Sequence, residues 1–224
     1  MSLMLASVNS LEEARLIQRF NVDIIDLKQP AEGALGALPV EVVREVVTCL
    51  KPIARISATV GDLPMQPGLL AAAVSAMAAT EVDFVKIGFF PGGDWQASIT
   101  ALSALAGQGH ALIAVLFADT GVDFAIIPAL ALAGFRGVML DTMDKSQGRL
   151  TQLLSLGELQ GFVQVARDNS LLTGLAGSLA FSDIADLLPL HADYLGFRGA
   201  LCHHACRTAQ LDEQQIMRIR QKLS

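Results

Sequence analysis

The chain has 224 residues, 52% of them hydrophobic and 17% charged, with 16 Lys and Arg against 22 Asp and Glu for a net charge of −6. That composition supplies a core and excludes a disordered chain. The acidic balance leaves no general basic field for nucleic acid or an anionic membrane surface, so an anionic substrate needs a local positive site built against the overall charge.

Leu3 to Val8 reads as a strand. Ser10 opens a helix, with Glu13 three residues on as a capping box and Leu11, Ala14, Ile17 and Phe20 on one face. Asp23 to Lys28 is the next strand and Val40 to Leu50 the next helix. Ile53 to Val60, Val82 to Gly88 and Ala111 to Phe117 are strands, followed by helices at Pro67 to Thr80, Trp95 to Ala106 and Asp123 to Ala133. Arg136 to Asp141 precedes helical sequence within Arg149 to Asn169, and Leu171 to Leu175 precedes Ser182 to Leu188. Asp193 to Phe197 is the eighth strand, and Asp212 to Leu223 the last helix. Strand–helix alternation implies parallel strands with helical crossovers. Eight units averaging 28 residues predict a single-domain TIM (β/α)8 barrel over residues 1–224, with an open doubly wound sheet as the rival. The spacing reads as architectural, with no sequence repeat behind it.

No apolar run approaches the ~20 residues of a spanning helix; Asp119 and Asp123, for example, close the run that starts at Ala111. The start, MSLMLASVNSLEEAR, lacks the basic and long apolar regions of a signal peptide. Cys49, Cys202 and Cys206 form no disulfide framework. A cytoplasmic protein with no membrane or nucleic-acid partner is expected. The Ala and Leu content suggests helix faces available for a homo-oligomer.

In a barrel of this kind the chemistry sits at the C-terminal strand ends. Those ends are charged here: Asp26 and Lys28 on the second strand, Lys86 on the fourth, Asp141 on the sixth and Lys145 in the following loop. Asp26 and Lys28 are two apart and point the same way, as do Ser57 and Thr59 on the third strand. A structural ion pair is one reading of Asp26 and Lys28. Three lysines and two aspartates at successive strand ends favour a site, because burying such charges is costly unless they are paired or used. A lysine in a partly dry site near a second lysine has a depressed pKa and can attack a carbonyl to form a Schiff base. A neighbouring Asp or Lys can move the protons.

The last two strands end in Gly177-Ser178 and Arg198-Gly199-Ala200. Glycine lets backbone N–H groups approach an anion, and barrels often bind phosphate at these loops. Gly177, Ser178, Arg198 and Gly199 are the candidate phosphate contacts; Arg207 is either an assistant or a solvated loop residue. Cys202-His203-His204-Ala205-Cys206 invites a zinc reading, but no second cluster completes four ligands, so no metal is expected. Trp95 reads as packing, and His110 and His191 as structural or surface residues.

The run Asp23-Ile-Ile-Asp-Leu-Lys-Gln-Pro-Ala-Glu-Gly-Ala-Leu-Gly36 resembles the signature of the (5-formylfuran-3-yl)methyl phosphate synthase family of methanofuran biosynthesis. Ser57-Ala-Thr-Val-Gly-Asp62, Asp83-Phe-Val-Lys-Ile-Gly88, Met139-Leu-Asp-Thr142, Leu175-Ala-Gly-Ser178 and Gly196-Phe-Arg-Gly-Ala200 follow in the family's order. The resemblance implies a TIM barrel and a lyase that needs no metal or organic cofactor. It implies that two molecules of glyceraldehyde 3-phosphate, a triose phosphate, join with loss of one phosphate and water. By the same resemblance Lys28 is the Schiff-base lysine, Lys86 the proton acceptor, and Asp26, Asp141 and Lys145 further active-site positions. The stretch after Cys202, His203-His-Ala-Cys-Arg-Thr-Ala-Gln210, departs from the Gly-, Lys- and Arg-rich archaeal pattern. Bacterial members are similar to those of methylotrophs with a tetrahydromethanopterin-linked one-carbon metabolism. In the chemistry expected, an iminium makes the adjacent C–H acidic, the enamine adds to the second aldehyde, and aromatisation drives the sequence. The rivals are another Schiff-base sugar-phosphate aldolase and a non-catalytic phosphosugar-binding barrel.

Overall fold

Short runs of Val, Ile, Leu and Ala can be buried on both faces only if helices cover the sheet, which is the parallel arrangement. In the computed structural model, which describes residues 2–51, 53–121 and 123–223, the strands are β1 (Leu3–Val8), β2 (Ile24–Leu27), β3 (Arg55–Thr59), β4 (Phe84–Gly88), β5 (Leu112–Phe117), β6 (Gly137–Asp141), β7 (Leu172–Leu175) and β8 (Tyr194–Phe197). Each pairs in parallel with the next, and β8 pairs with β1, so the barrel closes in chain order. The helices are α1 (Leu11–Gln18), α2 (Val40–Leu50), α3 (Pro67–Ala78), α4 (Trp95–Gly107), α5 (Ile127–Leu132), α6 (Leu150–Leu153), α7 (Leu156–Asp168), α8 (Ile184–Leu187) and α9 (Glu213–Leu223). None is long and apolar enough to cross a membrane among the described residues.

The core has two parts. The larger lies between strands and helices. In α2, for example, Val43, Val46, Val47 and Leu50 form the buried stripe at helical spacing. Burying each such side chain contributes about 1.5–3 kcal/mol. The smaller part fills the barrel itself and includes Leu5, Ile24, Ile113, Val115, Phe117, Met139 and Tyr194. Every residue of β5 is buried, so that strand carries packing and no charge.

Several boundaries differ from the sequence reading, each for a local reason. The helix expected within Arg149 to Asn169 breaks into α6 and α7. Ser155 accepts from the Glu158 amide while the Glu158 carboxylate accepts from the Ser155 amide, a capping box that starts a new helix. Ile53 belongs to the turn after α2, its amide bonded to the Leu50 carbonyl, and β3 begins at Arg55. The helix expected from Asp123 opens as a 3-10 turn, Phe124–Ile126, before α5. Ser10 caps α1 through the Glu13 amide at 3.1 Å, but the Glu13 carboxylate accepts from Asn9 at 3.0 Å rather than closing back on Ser10.

A short repeat underlies three of the even strands, contrary to the sequence reading. Asn21-Val22-Asp23, Glu81-Val82-Asp83 and His191-Ala192-Asp193 each start with a left-handed residue, φ 51°, 66° and 57°. Each aspartate then accepts a backbone N–H from the preceding strand: Asp23 from Met4 at 2.8 Å, Asp83 from Ile56 at 2.7 Å and Asp193 from Thr173 at 2.7 Å. Before β6 the same place holds Gly134-Phe135-Arg136, with φ 84° at the glycine. These carboxylates brace the N-terminal end and thereby set the register of the strands that carry the other end.

Candidate active site

Counting from the basal Asp23, the third and fifth residues are Asp26 and Lys28, two apart and therefore both turned into the barrel. Asp26 is fully buried. Its Oδ2 accepts from Ser7 Oγ at 2.8 Å, and its Oδ1 from Ser57 Oγ at 2.6 Å and Lys86 Nζ at 3.0 Å. Burial pushes this carboxyl upward. The ammonium groups of Lys86 and Lys28, with the Ser57 and Lys86 hydrogen bonds, outweigh that and hold it below the ordinary carboxylate value. Lys86 is thus positioned by a satisfied anion that does not itself reach the cavity.

Lys28 is held differently. Among the described residues its Nζ has no hydrogen-bond acceptor; its ion-pair partner is Asp141 Oδ2 at 4.0 Å. Burial lowers the amine from 10.5 to about 8; Asp141 opposes this, Lys145 and Lys86 add to it, and Asp26 opposes it. A shift of that size raises the neutral fraction near pH 7 by ~300-fold. Lys145 is saturated instead: its Nζ donates to Asp141 Oδ1 at 2.6 Å, to the Thr142 carbonyl and to Thr142 Oγ1 at 3.0 Å. Burial raises Asp141, but Lys145, then Lys28, and hydrogen bonds from Lys145 and the Thr142 amide bring it down to about 2. The arrangement leaves one amine unbonded and two lysines tied to carboxylates.

The loops around these groups are braced by carboxylates. Asp62 accepts from the Ala34 and Leu35 amides at 2.8 and 2.7 Å. Gly33, at φ +104°, lies so near that a Cβ there would sit 2.1 Å from Asp62 Oδ2. Thr59 Oγ1 donates to the Gly36 carbonyl at 2.9 Å. The glycines of the second-strand motif and Asp62 of the third-strand motif are therefore one structural unit, the wall beside Lys28. Asp119 does the same for the loop carrying Lys145, accepting from the Met143 and Asp144 amides at 2.8 and 2.6 Å. Sequence reasoning passed over Asp119 and gave Asp62 no role; each is a lone acid just after a strand, and that position was the available signal.

The β7 and β8 ends supply backbone donors. Among the described residues the amides of Gly177, Ser178, Gly199 and Ala200 meet no protein acceptor, and all four residues line the cavity. Gly177 and Ser178 both have positive φ, 105° and 52°. Arg198 departs from its expected role. Its Nε donates to the Arg207 carbonyl at 2.8 Å, Nη1 to the Ser7 carbonyl at 3.1 Å and Glu13 Oε2 at 2.5 Å, and Nη2 to Glu13 Oε1 at 3.1 Å and the Ala209 carbonyl at 3.3 Å. A guanidinium has five N–H donors, and all five are used inside the protein. Arg198 clamps the loop after β8 to α1. Arg207, carried on that loop, lines the cavity instead and donates from Nη2 to the Gly33 carbonyl at 2.6 Å.

Lys28, Lys86, Asp141, Lys145, Gly177, Ser178, Arg198 and Gly199 line one cavity of about 380 Å³ at the C-terminal mouth, with Asp26 behind Lys86. The volume is in the range of small-molecule sites. A second cavity of about 210 Å³ at the N-terminal end also touches Lys86 and is walled largely by Leu3, Leu5, Ile24, Phe84, Ile113 and Tyr194. Among the described residues no group of three His, Cys, Asp or Glu side chains could hold a metal. His203 pairs with Asp212 at 3.3 Å, and Cys202 is buried with its Sγ on the Arg198 carbonyl. Trp95 packs edge-on against Phe89 and donates to the Phe90 carbonyl at 2.9 Å. The His191 carbonyl accepts from Arg167.

The sequence pattern of the family described as 4-HFC-P synthase matches residues 4–220. A protein from Methanopyrus kandleri named (5-formylfuran-3-yl)methyl phosphate synthase is 32% identical over 227 residues, covering 96% of this chain and 95% of that protein. One of the same name from Archaeoglobus fulgidus is 30% identical, covering 96% of both. A Methylorubrum extorquens protein given the name provisionally is 43% identical over 213 residues, 95% of this chain and 88% of that protein. Among solved structures, 3-hexulose-6-phosphate synthase from Salmonella typhimurium has a TM-score of 0.71 at 18% identity, covering 100% of this chain and 98% of that one. Phosphoribosyl anthranilate isomerase from Thermotoga maritima has a TM-score of 0.71 at 14% identity with the same coverage; at such identities the likeness is one of fold alone. The match over residues 4–220 and the full-length relatives place the chain in the 4-HFC-P synthase family, whose curated relatives carry the name (5-formylfuran-3-yl)methyl phosphate synthase.

Proposed function

We propose that the protein makes (5-formylfuran-3-yl)methyl phosphate for a methanofuran-type cofactor, by joining two molecules of glyceraldehyde 3-phosphate through a Schiff base on Lys28. The observation that carries this reading is the state of that amine. It is buried, unbonded among the described residues, lowered to about 8, and faces a cavity lined by backbone donors and cations.

In the reading, Lys28 attacks the aldehyde carbon of one triose phosphate, and water leaves as the iminium forms. The Lys86 ammonium gives a proton to the hydroxyl that leaves as that water, and its freed amine then takes the C2–H proton that the iminium acidifies. The resulting enamine expels phosphate from C3, breaking the C–O bond. The product skeleton then sets the new bond: the formyl carbon and two ring carbons come from this triose. Its former C3 bonds to C2 of the second triose, which becomes a carbonyl when that triose isomerises through its enediol, the C2 proton moving to C1 with no net change of oxidation state. This differs from addition to the second aldehyde carbon, the simplest expectation from the sequence. Ring closure removes two waters overall, hydrolysis returns Lys28, and no oxidant is needed. Asp26 keeps Lys86 in place, Asp141 and Lys145 set the charge around Lys28, and the Gly177, Ser178 and Gly199 amides hold a phosphate.

Borohydride reduction in the presence of glyceraldehyde 3-phosphate, followed by peptide mapping, tests the reading. The Lys28 peptide should gain the mass of a reduced triose phosphate, and mass spectrometry should find the furan product without borohydride. Lys28→Arg should abolish both, since arginine stays charged. An adduct on a different lysine, or furan output from Lys28→Arg, overturns it.

A further inference from the structure

Two triose phosphates bring two phosphate groups, and the cavity presents its positive charges unevenly. Six basic side chains line it: Lys28, Lys86, Lys145, Arg149, Arg198 and Arg207. Five have a carboxylate within 4.0 Å: Asp141 for Lys28 and Lys145, Asp26 for Lys86, Asp183 for Arg149 and Glu13 for Arg198. Arg207 has no such partner among the described residues. Its protein acceptor is a neutral one, the Gly33 carbonyl, so most of its donors face no protein group.

The fold goes to some length to hold Arg207 there. Arg198 gathers the carbonyls of Arg207 and Ala209. His204 and Ala205 turn the loop through left-handed conformations, φ 55° and 53°, which cost a non-glycine residue ~1 kcal/mol or more each. The loop passes close over Gly199, where an added Cβ would lie 3.1 Å from the Ala205 carbonyl oxygen. By reaching Gly33, the Arg207 guanidinium stands on the β2 side of the mouth, beside the wall next to Lys28. The unfilled amides of Gly177, Ser178 and Gly199 stand on the β7 and β8 side. The two anion-seeking features therefore face different parts of one cavity.

We propose that Arg207 is the side-chain ligand for the phosphate of the triose bound through Lys28, the phosphate that leaves, and that it exchanges the Gly33 carbonyl for phosphate oxygens when the site fills. The backbone amides keep the other phosphate, which stays on the product. A guanidinium placed on a departing phosphate binds it and neutralises the charge that develops as the C–O bond breaks. The assignment rests on the Schiff-base reading of Lys28.

The test compares borohydride-trapped adduct formation on Lys28 with glyceraldehyde 3-phosphate and with unphosphorylated glyceraldehyde. The wild-type protein should favour the phosphorylated aldehyde. Arg207→Gln should lower that preference by about 10- to 100-fold, the range for losing a hydrogen bond to a charged group. Its reaction with glyceraldehyde, which carries no phosphate, should fall far less, and an unshifted thermal unfolding midpoint reports an intact fold. Arg207→Lys, with charge but no fork, should recover part of the preference. Full preference in the Gln variant overturns the role of Arg207 while leaving Lys28 standing. Absence of any wild-type adduct overturns both readings, and that outcome is distinct.

Discussion

The two ends of the barrel use aspartate in opposite ways. At the N-terminal end Asp23, Asp83 and Asp193 each accept a backbone N–H from the preceding strand and hold the register. At the C-terminal end Asp26 and Asp141 face lysine ammonium groups and control their charge. Asp23 and Asp26 are only three residues apart, one just before β2 and the other on it. Their difference therefore lies in what each faces, a neutral amide beside Arg220 or a buried ammonium with two hydroxyls. The even strands hold their lower and upper positions in one register. Three residues after the basal positions stand Asp26, Lys86, Met139 and Gly196; five after stand Lys28, Gly88, Asp141 and Arg198. Alternate strands contribute the same layer of a barrel interior, so charges spread over the sequence meet at one level.

The sharpest way to break this comparison is to remove the charge that matters most at the upper end. Lys28→Met should abolish furan formation and yet stabilise the protein. A folded pKa of about 8 against 10.5 means that the unfolded chain binds more protons between those values. The penalty is therefore full below about pH 8 and is relieved as pH rises through that window. Relieving it should add up to ~3 kcal/mol at pH 7, with less gain at pH 10. Urea unfolding at the two pH values checks this, and a variant less stable than wild type at pH 7 refutes it.

A smaller effect tests how the upper carboxylate tunes its amine. Lys28 trapping in the wild-type protein should rise tenfold per pH unit and level off near pH 8, the neutral amine being the nucleophile. Lys145→Met removes a cation that lowers Lys28 and leaves Asp141 to act on Lys28 alone. The midpoint should move to higher pH by about one unit. A midpoint that stays put or moves down means that Lys145 does not tune Lys28. The smallest effect belongs to the lower end. Asp83→Ala strips the Ile56 amide of its acceptor and should cost ~1 kcal/mol in a urea titration, with kcat and KM unchanged. A large loss of activity without loss of stability contradicts the division between the ends.

Much of this was legible along the chain. Strand–helix alternation at a near-constant interval announced the barrel, because a parallel strand must be followed by a crossover. Asp26, Lys28, Lys86, Asp141 and Lys145 stood out because charge at the end of an apolar strand is rare. The valine- or alanine-aspartate pairs before β2, β4 and β8 were also present as letters, but their purpose depends on amides some 20 to 30 residues upstream. The helix break at Ser155 depends on a box that only competes with helix propagation once Leu154 turns extended.

The sequence by itself determined the fold class, the family and the level of the barrel at which the charges gather, since all three follow from periodicity and short motifs. Only the tertiary structure decided which cation is spent and which is available. Arg198 and Arg207 look alike as letters, but Glu13, 185 positions from Arg198, completes its saturation. A guanidinium's role is set by the acceptors that surround it, and those come together only when the barrel closes.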